Sequence, residues 1–275
     1  MQMTIKKLIE IALTEDIGPG DITTENLVDP AMEGHGILTA KEPLMLAGLD
    51  IARQVFTFLN PEMRFSSRFQ DGDWIEKGTV LLEIDGQLRT LLMGERTALN
   101  FLQHLSGIAT YVHEHVKELG NSKVRLVDIR KTTPGLRVVE KYAVRIGGAY
   151  NHRMGLYDGV LIKENHIATC GGITKCIERI RQSVSHLIKI EIEVCNLAEA
   201  AEAVAAGAEV ILLDNMDLQG IQEAVALIGG KALIEVSGGI KKKDLKTLAG
   251  AGVDIISMGA LTYSARFMDI SMKIH

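Results

Sequence analysis

The spacing of six apolar segments in the C-terminal half sets the narrowest limit on what this 275-residue chain can fold into. The segments, read as strands, are 124–128, 160–163, 188–194, 210–214, 232–237 and 254–258. From the second onward their starts lie roughly 22–28 residues apart, which leaves room for one helix between neighbours and is the spacing of βα units around a parallel sheet. The punctuation agrees. Asn196 with Glu199 reads as a helix start and Gly207 as its stop, while Pro134 and Gly147 bracket another helix. The series fits an incomplete (β/α) barrel better than an open sheet, and a doubly wound sheet satisfies the same spacing.

The N-terminal half has a different grammar. Residues 35–90 alternate apolar and polar positions between turn signals, the pattern of a mostly antiparallel sheet. Ahead of it, Ile5, Leu8, Ile9, Ala12 and Leu13 form one face of an amphipathic helix. A long helical pattern follows at 91–118, with Gly107 as its weak point.

Polar residues inside the C-terminal strands carry the first functional information. In Lys189–Val194 the three apolar residues face one way, so Lys189, Glu191 and Glu193 are expected to point into the barrel. Glu235 and Ser237 share the corresponding face of their strand. Charges there persist only when paired or liganded. Strands also end on Asp128, Lys163, Glu193, Asp214 and Ser237, and the C-terminal strand ends form the active face of such barrels.

The cations gather at the same face. From Arg130 to Glu164 there are seven Lys or Arg (Arg130, Lys131, Arg137, Lys141, Arg145, Arg153, Lys163) against three acids (Glu140, Asp158, Glu164), in a chain of net charge -5. A local excess of positive charge on an acidic chain points to a small, highly anionic ligand. Arg130, Lys131, His152, Arg153 and Lys163 are placed at the mouth, whereas Arg137, Lys141 and Arg145 are read as ordinary helix surface. Ser237-Gly238-Gly239 and Met258-Gly259-Ala260 each stand between a strand and a helix in the last two units, where backbone N–H groups can receive a phosphate. Glu193 and Asp214 terminate neighbouring strands and suit Mg²⁺ held partly through water, or structural ion pairs with Lys163 and Lys131.

Composition excludes several classes. The acidic balance argues against a nucleic-acid partner. Three cysteines without a CxxC pair indicate neither a disulfide framework nor a zinc site and fit a reducing cytoplasm. No apolar run approaches a membrane span, and the first residues carry acids too early for a signal peptide.

Eight segments, in order, resemble the quinolinate phosphoribosyltransferase family. They are GERTALNFLQHLSGIAT (94–110), DIRKTTPGLRVVEKYAVRIGG (128–148), NHRMGL (151–156), LIKENH (161–166), EIEV (191–194), LLDN (212–215), EVSGGI (235–240) and SMGALT (257–262), with TEDIGPGDIT (14–23) near the start. The resemblance implies an N-terminal α/β sandwich of residues 1–108, rejoined by the C-terminal segment 264–275, and an incomplete, roughly seven-stranded α/β barrel over 109–263. It implies phosphoribosyl transfer from phosphoribosyl pyrophosphate to quinolinate with decarboxylation, Mg²⁺ bound with the cosubstrate, and a homodimer or assembly of dimers with shared sites. By the match, Arg96 comes from the neighbouring subunit, while Ile129, Arg130, Lys131, His152, Arg153 and Lys163 line the quinolinate pocket. Lys131, Glu193 and Asp214 carry the chemistry, and the two glycine loops hold the 5-phosphate. A paralogue associated with molybdate transport shares the architecture, and a non-catalytic sugar-phosphate sensor could use the same barrel. Two positions depart from the family pattern, which usually has Thr where this chain has Ile129 and His where it has Tyr263.

Overall fold

A computed structural model describes residues 2–275. The chain runs α1 (Gln2–Ile17), α2 (Ile22–Leu27), β1 (Glu33–Ala40), β2 (Leu44–Met45), α3 (Leu49–Leu59), β3 (Arg64–Ser66), β4 (Trp74–Ile75), β5 (Val80–Gln87) and the long α4 (Leu88–Leu119). It continues through β6 (Arg125–Val127), α5 (Arg137–Ile146), β7 (Val160–Ile162), α6 (Glu164–Cys170), α7 (Ile173–Ser183), β8 (Ile190–Val194), α8 (Leu197–Ala205), β9 (Val210–Asp214) and α9 (Leu218–Ile228). The last elements are β10 (Leu233–Ser237), a 3-10 turn at Lys242–Asp244, α10 (Leu245–Ala249), β11 (Ile255–Ser257), α11 (Ala260–Tyr263) and β12 (Ile270–Ile274). They form two units.

The first unit holds the residues up to His113, Thr132–Gly148 and Leu261–His275. Its main sheet has the order β12-β1-β5-β3, antiparallel throughout. Alternation in the sequence becomes alternation in burial: β1 buries Gly36, Leu38 and Ala40, and β5 buries Leu82, Ile84 and Gly86. α1 buries Ile5, Ile9 and Leu13, one residue per turn. Gly107 does not weaken α4, which runs unbroken. A Cβ at Gly107 would lie 1.9 Å from the Arg266 carbonyl oxygen, so the glycine is required by the close passage of the C-terminal segment. Gln103 Nε2 donates to the Ile270 carbonyl at 2.8 Å and ties that segment down.

The reading of α5 as carrying three surface cations is corrected. Lys141 is 1% exposed and Arg137 half-buried, with its Nε donating to Thr132 Oγ1 at 3.0 Å; only Arg145 is exposed. The buried arc is wide because Val139, Ala143 and Val144 are joined by Glu140, whose carboxylate accepts from Thr133 N–H at 3.1 Å and meets His104 Nε2 at 2.9 Å.

The second unit, Glu114–Lys131 with Ala149–Ala260, contains the six expected strands as one parallel sheet of order β6-β11-β10-β9-β8-β7. A single parallel bridge between Val127 and Tyr150 adds a seventh position beside β6, so the barrel is incomplete. In this register Ser237 lies opposite Asp214, which brings the ends of β10 and β9 level. Lys189 precedes β8 and is exposed, contrary to the interior position that alternation gave it. The pleat dictates a face only within the paired strand, which begins at Ile190. No helix among the described residues is long and apolar enough to cross a membrane.

Candidate active site

The site grows from the end of β6. Asp128 is fully buried there, and its two carboxylate oxygens accept from Asn151 Nδ2 at 2.6 Å and His152 N–H at 2.9 Å. A carboxylate that accepts from two donors of one segment fixes the 151–153 backbone beside the segment after β6 that carries Ile129, Arg130 and Lys131. Ile129 is half-buried, whereas Arg130 and Lys131 are exposed at the mouth.

His152 continues the network. Its Nδ1 accepts the Arg153 backbone N–H at 2.8 Å, so the ring proton is assigned to Nε2, which lies 3.1 Å from Glu191 Oε2. Arg153 Nη1 donates to the Gly159 carbonyl at 3.1 Å. Burial, and then the Arg130 guanidinium close by, hold the Arg153 pKa below the ordinary guanidinium value, with Glu191 acting in the opposite direction. Two guanidinium groups that influence one another at one mouth suit a ligand carrying more than one negative charge. Guanidinium groups meet carboxylates and phosphates through paired N–H donors.

The acids occupy the next strand ends. Lys163 Nζ pairs with Glu193 Oε2, which realises the ion-pair reading for that acid. Asp214 Oδ2 accepts from Asn215 Nδ2 at 2.7 Å. Both carboxylates are half-buried, and together they make an all-oxygen donor set. This set fits Mg²⁺, which binds through one or two carboxylates plus water and substrate phosphate.

The phosphate loops are built differently from expectation. Only a 3-10 turn and a five-residue helix follow Ser237-Gly238-Gly239, and a four-residue helix follows the second loop, so little helix dipole stands behind either. Met258 is buried, and its N–H donates to the Val127 carbonyl at 3.0 Å, so that donor serves the sheet. Gly238 is the constrained position. Its φ is +100°, and a Cβ there would lie 2.2 Å from Asn215 Oδ1. A cavity of about 310 Å³ adjoins it, lined by Ser237, Gly238, Gly239 and Asp244 among others. Strain of ~1–3 kcal/mol at such a position leads to the expectation that Gly238→Ala weakens binding of ribose 5-phosphate about tenfold in a calorimetric titration. Unchanged affinity would remove this loop from the phosphate site.

Within the second unit the structure thus gathers Arg130, Lys131, His152, Arg153, Lys163, Glu193, Asp214 and the two loops at strand ends. Arg96 lies in the first unit, exposed on α4, and Tyr263 is exposed at the end of α11. Sequence reasoning put Glu191 and Glu235 on the interior face but gave them no role. They meet His152 in one buried group: Glu235 is 2% exposed, and its Oε1 is 3.7 Å from His152 Nε2. Asp128 was read only as a strand end. Its signal was an acid that the apolar core surrounds.

Comparisons with known proteins converge. The family description "Quinolinate phosphoribosyl transferase, N-terminal domain" matches residues 21–106, and the corresponding C-terminal domain matches 108–273. A Bacillus subtilis protein named probable nicotinate-nucleotide pyrophosphorylase (carboxylating) is 42% identical over 273 residues, covering 99% of this chain and 94% of its own. A Methanocaldococcus jannaschii protein of the same name is 43% identical over 277 residues, covering 98% of this chain and 96% of its own. A crystal structure of NadC from Streptococcus pyogenes superposes with a TM-score of 0.96 at 43% identity, covering 100% of this chain and 98% of the other.

Proposed function

Because the chain belongs to the quinolinate phosphoribosyl transferase family, we propose that it transfers the phosphoribosyl group of phosphoribosyl pyrophosphate to quinolinate with loss of CO₂. The products are nicotinate mononucleotide, pyrophosphate and CO₂. The observation that carries the reading is the Arg130–Arg153 pair at one mouth with Glu193, Asp214 and the Gly238 loop.

Charge matching explains the division of labour. Arg130 and Arg153 receive the two carboxylates of quinolinate, with charge-assisted hydrogen bonds of roughly 1.5–3 kcal/mol each. Lys131 and Lys163 add positive charge towards the phosphates. The pyridine nitrogen attacks C1 of the ribose as the bond to pyrophosphate breaks. Glu193 and Asp214 favour the positive charge that develops on the sugar. The carboxylate at C2 then leaves as CO₂, its electron pair remains at C2 beside the pyridinium nitrogen, and a proton takes its place. Bound through Glu193 and Asp214, Mg²⁺ would neutralise charge on the departing pyrophosphate. Three free thiols accord with a cytoplasmic enzyme.

The reading is tested by pyrophosphate release from purified protein with Mg²⁺. Release is expected only when both quinolinate and phosphoribosyl pyrophosphate are present. Without turnover, a sugar-phosphate sensor becomes the better account, since a sensor needs the loops but has no use for the paired guanidiniums.

The same reading extends to a homodimer in which Arg96 serves the neighbouring subunit. Its support is the family resemblance and the exposure of Arg96 in the unit that does not hold the barrel. Arg96→Ala and Lys131→Ala are each expected to be nearly inactive, and mixed dimers to recover one intact site in two. If subunits exchange and no activity returns, Arg96 acts within its own chain.

A further inference from the structure

We propose that Asn215 is a positioning residue: its side-chain amide holds the Asp214 carboxylate and the Gly238 backbone in one fixed relation. The acid assigned to the ribose and the loop assigned to its 5-phosphate then meet the same substrate as one surface. The catalytic consequence rests on the proposed function, whereas the clamp between the ends of β9 and β10 does not.

The backbone gives the first observation. Asn215 follows the last residue of β9 with φ +53°, and it is the one non-glycine residue in the left-handed region among the described residues. An L side chain is uncommon there, and Asn is among the residue types that tolerate it best. Its N–H donates to the Ser237 carbonyl at 3.0 Å, which carries the pairing of β9 with β10 one residue past the strand end. A glycine adopts such a backbone more easily, so the backbone alone does not call for Asn. The next helix does not call for it either. Asp217 caps α9, its Oδ1 accepting the Gly220 N–H at 2.8 Å.

The amide is what Asn adds, and it is engaged on two sides. Nδ2 donates to Asp214 Oδ2 at 2.7 Å. The NH₂ group is the only donor on this side chain, so that contact places the carbonyl oxygen on the other side. The oxygen lies against Gly238. A Cβ built at Gly238 would meet Asn215 Oδ1 at 2.2 Å, Cγ at 2.5 Å and the Asn215 backbone nitrogen at 2.9 Å, so its three nearest atoms all belong to Asn215. Gly238 also lines the cavity of about 310 Å³ beside the loop. The register already sets Ser237 opposite Asp214. What the register leaves open is the rotation of the Asp214 carboxylate and the approach of the Gly238 backbone, and the Asn215 amide touches both. Asn215 is itself exposed, so removing its amide opens no cavity in the core.

Two substitutions test this. Asn215→Gly keeps the left-handed backbone and the N–H to Ser237 and removes only the amide, so its melting temperature is expected to stay within a few degrees of the wild type. Its kcat is expected to fall about tenfold, the scale of one lost hydrogen bond, while KM for quinolinate changes less than about twofold because Arg130 and Arg153 are untouched. Gly238→Ala is then introduced into both backgrounds and thermal melting is compared. It is expected to lower the melting temperature by several degrees in the wild type and by clearly less beside Asn215→Gly, where the approaches of Oδ1 and Cγ no longer exist. An Asn215→Gly enzyme with unaltered kcat, or one whose quinolinate KM rises as much as its kcat falls, overturns the positioning role. An equal loss of stability from Gly238→Ala in both backgrounds overturns the clamp. Should Gly238→Ala fail to fold in the wild-type background, recovery of folding beside Asn215→Gly supports the clamp and failure there too overturns it. If the wild type shows no quinolinate-dependent turnover, the functional reading fails, and the melting comparison alone decides whether Asn215 holds the two strand ends together.

Discussion

An Arg153→Ala variant is expected to lose about two orders of magnitude in kcat/KM for quinolinate, with KM for phosphoribosyl pyrophosphate changed only a few-fold. A charge-assisted contact contributes roughly 1.5–3 kcal/mol, and each 1.4 kcal/mol is about tenfold. The guanidinium is held by the Gly159 carbonyl, and the Arg153 backbone N–H is tied to the His152 ring, so the loss is that of a placed group and not of a flexible surface charge. Arg153→Lys is expected to recover little, because an ammonium cannot reproduce a bidentate contact while keeping the hydrogen bond to Gly159. Steady-state kinetics with each substrate varied in turn checks both statements. Equal losses for both substrates would mean that Arg153 supports the loop and not the dicarboxylate.

Asp214→Asn is expected to lower kcat by about 10²–10³, the range seen when one preorganised electrostatic group is removed. Asn keeps the shape at the end of β9, opposite Ser237 in the register, and can still accept from Asn215. What it loses is the charge that the proposed mechanism sets against the developing positive sugar. Thermal melting should therefore stay close to the wild type. A variant that melts several degrees lower yet turns over normally would show Asp214 to be a structural acid.

Much of this architecture is legible in the sequence. The six strand segments stand where apolar runs and turn residues put them, because a parallel strand buried on both faces must read as a short apolar run. Glu191 and Glu235 were assigned to the interior by alternation alone. Their meeting was not legible, since contact between His152, Glu191 and Glu235 depends on how the loop after Tyr150 folds over the sheet. Lys141 failed differently. A charged residue on an amphipathic helix is usually solvated, and only tertiary packing decides when a long side chain is enclosed. Gly107 looked like a flaw in α4 because the backbone that passes over it lies about 160 residues further along the chain, at Arg266. Arg96 carried no signal of its own, and its role comes from the family resemblance.

The fate of one carbon tests the central claim most directly. Quinolinate labelled in its C2 carboxyl group is supplied to the purified protein with phosphoribosyl pyrophosphate and Mg²⁺, and labelled CO₂, pyrophosphate and nicotinate mononucleotide are measured together. The three are expected in equal amounts, with none formed when the cosubstrate is left out. Pyrophosphate released without labelled CO₂, or a nucleotide product that keeps the label, would contradict a decarboxylating transfer to quinolinate.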